Sequence, residues 1–254
     1  MVVVAVINQK GGVGKTTTTV NLATALAAID KKVLILDLDP QGNASTGLNV
    51  RKARGVQSSY GVLLGIVKPT DVIQKTFING LSIISSTIDL SAAEGELFQQ
   101  EDQDARLKKA LAGLDFDYIF IDCPPGFGLI NINALNASNK IIIPLQCEFY
   151  ALEGLTQLFR TIQSVRSTIN KNLMVSGILL TMYDRRNSLS GTIANDVRNH
   201  FGKLVFDTII PRNVRISEAS SFGKPVILHD VKSMGAIAYI ELAREFLQRE
   251  SHGQ

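Results

Sequence analysis

The chain has 254 residues, 45% hydrophobic and 19% charged, which is enough apolar material to bury a sizeable core. With 26 Lys and Arg against 23 Asp and Glu, a net charge of +3 indicates no nucleic-acid partner by itself, because binding depends on where charges cluster. The two cysteines, Cys123 and Cys147, fit neither a zinc spacing nor a disulfide framework, and no apolar run reaches the roughly 18 residues of a membrane span, so a soluble protein in a reduced, cytoplasmic setting is expected.

Residues 2–8 are apolar, lack a basic leader or cleavage signature, and read as a strand rather than a signal peptide. That strand runs into Gln9-Lys10-Gly11-Gly12-Val13-Gly14-Lys15-Thr16-Thr17, and a helix is predicted over 16–29. A buried strand, glycines whose amides can converge on anionic oxygens, and the positive end of a helix together make a phosphate cradle. Lys15 is placed to reach the β- and γ-phosphates, and the Thr16 hydroxyl to ligate Mg2+. The pattern therefore reads as a magnesium-dependent P-loop ATPase that uses ATP. It departs from the usual motif in having Gln9 at the first glycine position and a second lysine, Lys10, five residues before Lys15. Lys10 has two readings: a solvated loop lysine, or a charge delivered to phosphates held by a facing subunit, as an arginine finger is.

The next predicted strand, 32–37, ends in Asp37-Leu38-Asp39, two carboxylates at a spacing that shares one face only while the strand lasts. One can face the metal, with Asp37 acting through water, and the other the attacking water. Residues 51–80 resist ordering into elements. A strand over 81–85 and a helix over 91–111 follow. The apolar strand 118–122 ends in Asp122, which reads as a magnesium ligand, or alternatively as a cap for the next helix. The segment Cys123-Pro124-Pro125-Gly126-Phe127-Gly128 has the composition of a loop that re-forms when a γ-phosphate is lost.

The remaining pattern alternates helices at 129–137, 151–169, 192–201, 214–222 and 233–248 with strands at 140–145, 173–181 and 206–210. Several strands are continuously apolar, as strands buried on both faces are. The fold class expected is α/β, a mostly parallel twisted sheet with helices on both faces and right-handed crossovers, formed as a single domain over 1–254. The phosphate loop, Asp39 and Asp122 then meet at the carboxyl ends of strands, where open α/β sheets gather ligands.

Six blocks in order cover nearly the whole chain: NQKGGVGKTTTTVNLATALA (8–27), LDLDPQGNAS (36–45), IFIDCPPGFG (119–128), NALNASNKIIIPLQCEFYALEGL (133–155), GILLTMYDRR (177–186) and IPRNVRISEASSFGKPV (210–226). Together they resemble the ParA/Soj-type chromosome and plasmid partition ATPases, which carry a deviant Walker A loop. The resemblance favours the short members, which lack an added N-terminal DNA-reading domain. It implies that Lys10 is the signature lysine of a nucleotide sandwich dimer, Lys15 the P-loop lysine, Asp39 the residue that positions water and Asp122 the Walker B aspartate. Nucleotide contacts are implied for Gly11, Gly12, Val13, Gly14, Thr16 and Thr17, and for Met182, Pro211 and Asn213 at the adenine. Gly126 departs from the serine common in the family.

The resemblance further implies a homodimer with ATP that binds double-stranded DNA without sequence preference and is released when a ParB-type centromere-binding protein stimulates hydrolysis. The implied location is cytoplasmic and nucleoid-associated, with no stable membrane association. Arg185, Arg186 and Arg215 are the leading DNA contacts, with Arg198, Lys203, Arg212 and Lys224 nearby, although Asp184, Asp196, Asp207 and Glu218 are interspersed and the set also reads as ordinary surface charge. A Min-type division-site ATPase is the alternative. It needs a basic amphipathic tail, whereas the last predicted helix contains Glu241 and Glu245, Glu250 follows, and the chain ends Ser251-His252-Gly253-Gln254. An iron–sulfur reductase needs thiolates placed to bridge two subunits, which Cys123 and Cys147 are not, and a metabolic synthetase needs a second substrate pocket.

Overall fold

The structure, a computed structural model, describes residues 1–51 and 54–251. Lys52 and Ala53, within the stretch that resists ordering from sequence, and residues 252–254 of the tail lie outside the described residues.

The strands are β1 (Val2–Val6), β2 (Val33–Asp37), β3 (Gln74–Lys75), β4 (Leu81–Ile84), β5 (Tyr118–Asp122), β6 (Lys140–Gln146) and β7 (Met174–Thr181). They form one sheet of order β3-β4-β2-β5-β1-β6-β7, parallel except for β3 against β4. Helices α1 (Lys15–Ala27), α2 (Asn43–Gly47), α10 (Val214–Ser221), α11 (Val226–His229) and α12 (Met234–Ser251) contribute to one side. Helices α3 (Ser59–Leu63), α4 (Pro69–Val72), α5 (Ala93–Leu97), α6 (Arg106–Leu111), α7 (Leu129–Ala137), α8 (Ala151–Thr168) and α9 (Ser188–Phe201) contribute to the other.

The period of two along each strand divides the core. Val3, Ala5, Leu34, Leu36, Ile119 and Ile121 point to the side of Leu135, Leu158 and Val197. Val4, Val6, Val33, Ile35 and Phe120 point to the side of Leu22, Leu26, Tyr239, Leu242 and Phe246. Each Val, Leu, Ile or Phe among them, fully buried, contributes about 1.5–3 kcal/mol. The central strands therefore register firmly, and this aligns their ends: Val6 pairs with Asp122, and Asp37 with Asp122. The phosphate loop, Asp37 and Asp122 hang from those ends.

The structure corrects two predicted elements. Residues 206–210 form no regular strand, although Phe206 N–H donates to Ile178 O and Ile210 N–H to Leu180 O, both at 2.9 Å. Between them the amides of Asp207 and Thr208 donate to the two oxygens of Glu245 in α12, at 2.8 and 2.9 Å, so no ladder develops. The helix predicted over 91–111 is broken into a 3-10 turn (Ile88–Ala92), α5 and α6. Asn133 and Asn136 of α7 capture the carbonyls of Gln103 and Asp104, at 2.6 and 2.8 Å, which a continuous helix would have used itself. Helix α9 starts at Ser188, ahead of the predicted 192, because the Asn187 side chain caps it through Leu189 N–H. Among the described residues of 51–80 the chain makes two short helices and the antiparallel edge strand β3.

Candidate nucleotide site

Beyond β1 the chain turns through two left-handed glycines, Gly12 (φ 77°) and Gly14 (φ 91°), a conformation that costs glycine little. Gly14 then stands at the N-terminus of α1, where Thr18 N–H donates to its carbonyl at 2.9 Å. Asn8 braces the loop from below, donating to Pro144 O at 2.7 Å and accepting from Lys10 N–H at 3.1 Å.

The two lysines have different surroundings. Lys15 is buried and donates to Lys10 O at 3.0 Å, inside the turn of the loop. Burial holds its ammonium below the usual lysine range, against the raising pull of Asp122, Cys123 and Asp39. The Lys10 side chain is 54% exposed and forms an ion pair with Glu148, at the mouth of a cleft between the loop and the start of α8. Phe149 and Tyr150 stand exposed beside it, packed edge to face. Sequence reading does not single out Glu148. Its pairing with Lys10 spans 138 residues, and no local signal announces it.

Asp122 is fully buried. Its Oδ1 accepts from Thr19 Oγ1 at 3.3 Å, and its Oδ2 is buried without a hydrogen-bond partner. Burial first, then the negative charge of Asp37, pushes the carboxyl well above the usual carboxylate range, while the Thr16 hydroxyl and Lys15 pull the other way. An orphaned carboxylate oxygen near a half-buried threonine hydroxyl suits a hard cation such as Mg2+. Among the described residues no group of three or more His, Cys, Asp or Glu side chains could hold a metal ion.

Asp37 and Asp39 have different surroundings. Asp37 is fully buried, and both its oxygens are engaged: Oδ2 accepts from Ser45 N–H and Oγ at 3.0 and 2.7 Å, and Oδ1 from Asp39 N–H at 3.3 Å. Burial raises its pKa to about 6, against the lowering effect of the Ser45 bonds. It thus anchors the first turn of α2 to the end of β2. Asp39 is half-buried, and its Oδ1 accepts from Gln41 N–H at 2.9 Å.

The loop after Asp122 is tied to the phosphate loop through Gly126 N–H, which donates to Gln9 O at 3.0 Å. Gly126 is left-handed (φ 97°), which gives the departure from serine a backbone reason. Asn131 in turn donates to Gly126 O at 2.8 Å.

The segments of the three residues expected at the adenine come together. Tyr183 bridges to Pro211, and Arg212 N–H donates to Tyr183 O at 2.9 Å. Met182 is half-exposed and left-handed (φ 50°), an uncommon conformation for a side chain of its size. Asn213 caps α10 by accepting from Arg215 N–H at 2.8 Å.

The candidate DNA contacts are exposed but not all free. Arg186 grips Asp184 with two bonds of 2.9 and 2.8 Å, holding that carboxyl down to about 2. Arg215 pairs with Glu218 at 2.7 Å and Asp230 at 3.4 Å. Arg185, Arg212 and Lys224 are exposed. Arg198 belongs elsewhere: it donates to the carbonyls of Phe206 and Asp207 and is a strut of the fold.

The chain matches the family described as AAA domain over residues 1–175. It is 52% identical to the chromosome partitioning protein ParA of Caulobacter vibrioides, covering 99% of this chain and 96% of that protein. It is 49% identical to the sporulation initiation inhibitor protein Soj of Bacillus subtilis, covering 96% and 97%. The chain belongs to the ParA/Soj family of partitioning ATPases.

Like other members of that family, this ATPase is built on the P-loop fold. A crystal structure of cobyrinic acid a,c-diamide synthase from Mycobacterium smegmatis with bound ADP and magnesium superposes with a TM-score of 0.87 at 37% identity, over 100% of this chain and 97% of that one. The cell division ATPase MinD of Pyrococcus furiosus superposes at 0.80 with 25% identity, over 97% and 98%. No described helix of the ParA/Soj member is long and apolar enough to cross a membrane.

Proposed function

We propose that this ParA/Soj member is a single-domain DNA-segregation ATPase whose ATP-bound form is a face-to-face dimer. The observation that carries the reading is the contrast between the lysines: Lys15 is buried within its own loop, while Lys10 stands at the surface with its ammonium held by Glu148. A cation so placed suits phosphates bound by a second subunit better than those of its own loop. ATP would lie along residues 11–17, with its base against Met182, Pro211 and Asn213. Thr16 and Asp122 would hold Mg2+, and Asp37 would reach it through water. The metal would neutralise charge developing on the transferred phosphoryl oxygens. Asp39, whose carboxylate accepts a local turn bond from Gln41, would orient the attacking water.

Closure would pair the exposed Arg185, Arg186 and Arg215 of two subunits on one surface, doubling the phosphates neutralised on non-specific double-stranded DNA. Log affinity then falls with log salt at about −0.9 per phosphate neutralised, so a dimer is far more salt-sensitive than a monomer. A ParB-type centromere-binding protein would accelerate hydrolysis and release, placing the protein on the nucleoid in the cytoplasm. A Min-type membrane role fits less well, because α12 buries Tyr239, Leu242 and Phe246 against the sheet, and its exposed Met234, Ile237 and Ile240 share the outer side with Glu241 and Arg244 rather than with a basic stripe.

The test is retention of unrelated DNA sequences by the purified protein with ATP, ADP or no nucleotide, at two salt concentrations, alongside Asp39→Ala. Salt-sensitive retention with ATP alone, made persistent by Asp39→Ala, is expected. Retention by anionic lipid vesicles in place of DNA would overturn the DNA reading and leave the ATPase standing. Rapid ATP turnover by Asp39→Ala would remove that residue from the reaction.

A further inference from the structure

Thr181, the last residue of β7, is buried, and its hydroxyl donates to the carbonyl of Val13 at 2.8 Å, across 168 residues of sequence. Val13 lies in the middle of the phosphate loop. Its carbonyl and the N–H of Gly14 belong to one planar trans peptide and point to opposite sides. Drawing the Val13 carbonyl toward β7 therefore turns the Gly14 N–H away from β7.

Without such a tether the 13–14 peptide would be free to reorient. Glycines stand on both sides of Val13, and both Gly12 and Gly14 are left-handed, so the backbone there has little intrinsic preference to hold it. Thr181 is well suited to restrain it. It is β-branched, with few rotamers, and it sits in register with Gln146 of β6 inside the sheet. A Cβ on Gly14 would meet the Thr181 side chain at 3.8 Å, so the two residues lie in ordinary contact.

We propose that Thr181 is a positioning residue for phosphate binding: it fixes the orientation of the Val13–Gly14 peptide and so keeps one amide of the cradle aimed at the nucleotide. It acts through that peptide and does not touch the phosphates. The inference rests on the ATPase site alone and is independent of the dimer and DNA reading.

The test uses the full chain with Thr181→Val, which keeps the shape and removes the donor, and Thr181→Ser, which restores it. Competition against a fluorescent ADP analogue measures the binding of MgATP and of magnesium tripolyphosphate, while steady-state turnover measures KM and kcat. A peptide correctly oriented in about a tenth of molecules weakens apparent affinity roughly tenfold. Thr181→Val should therefore bind ATP and tripolyphosphate about tenfold more weakly, raise KM accordingly, and leave kcat at saturation within about twofold. Thr181→Ser should recover wild-type values. Unchanged affinity with only a lower melting temperature would overturn the proposal, as would a loss confined to ATP, which would place the effect at the base. Should Thr181→Val melt below the assay temperature, Thr181→Ala removes the same donor and is held to the same outcome.

Discussion

The floor of the nucleotide site and the arginine-bearing face are both polar, yet they are built on opposite terms. On the floor, Lys15, Asp37 and Asp122 are buried, each is positioned by a strand end or the start of α1, and their protonation is shifted by burial. On the face, Arg186 and Arg215 remain largely exposed, and each is held by carboxylates within a few residues or on the adjoining α11 end. A buried polar group without a partner is costly, so the floor can persist only if a ligand or proton completes it. At Arg186 and Arg215 the face is already paired, and there any partner must compete with Asp184, Glu218 and Asp230. The floor is therefore specified by the fold, whereas the face is specified by competition.

The sharpest way to break the contrast is at Lys15. Lys15→Ala should lower phosphate release by at least about a hundredfold, the scale on which one preorganised charge acts in a transition state. Retained turnover would mean that Lys10 serves its own loop. Asp122→Asn comes next and moves two properties in opposite directions. It removes a buried carboxyl that is costly at neutral pH either as a charge or by having to take up a proton, so the nucleotide-free protein should gain about 0.5–2 kcal/mol, read as a melting temperature a few degrees higher. It should also abolish the magnesium dependence of ATP binding. A lower melting temperature would show that the orphaned oxygen is better accommodated than its burial suggests. The smallest effects belong to the face. Arg215→Glu should flatten the salt dependence of DNA retention by about 0.9 for each DNA phosphate that Arg215 neutralises, with a small drop in melting temperature from the loss of its two carboxylate partners. Glu218→Gln, which frees Arg215 from one competitor, should strengthen retention. An unchanged salt slope in both would remove Arg215 from the DNA surface.

The parts of this site that can be read from the chain are those whose partners are close in sequence or imposed by a strand end. The glycine loop, Lys15, Asp122 and the apolar strands behind them fall in this class, because continuous Val and Ile runs leave one way to bury a strand on both faces. Spacing suggests a role for Asp37 at the metal through water, and only the fold shows Ser45 arriving to bond one of its oxygens twice. Glu148 and Thr181 escape sequence reading for one reason: each acts on the loop from a neighbouring strand end across more than a hundred residues, and neither carries a local motif. The helix expected over 91–111 fails similarly, since the asparagines that interrupt it sit on α7.

The interrupted segment beyond β7 has one more consequence. A parallel sheet that ended on a bare β7 would leave the carbonyls of Ile178 and Leu180 available to any extended chain in solution. Phe206 and Ile210 occupy both of them, and Glu245 turns the intervening amides inward. The last strand is thus covered by a segment that is itself too irregular to recruit another. At the far side of the sheet β3 is only two residues long and runs antiparallel. The molecule closes both borders of its sheet against self-templated stacking, so that a second copy finds no long, regular edge strand to extend.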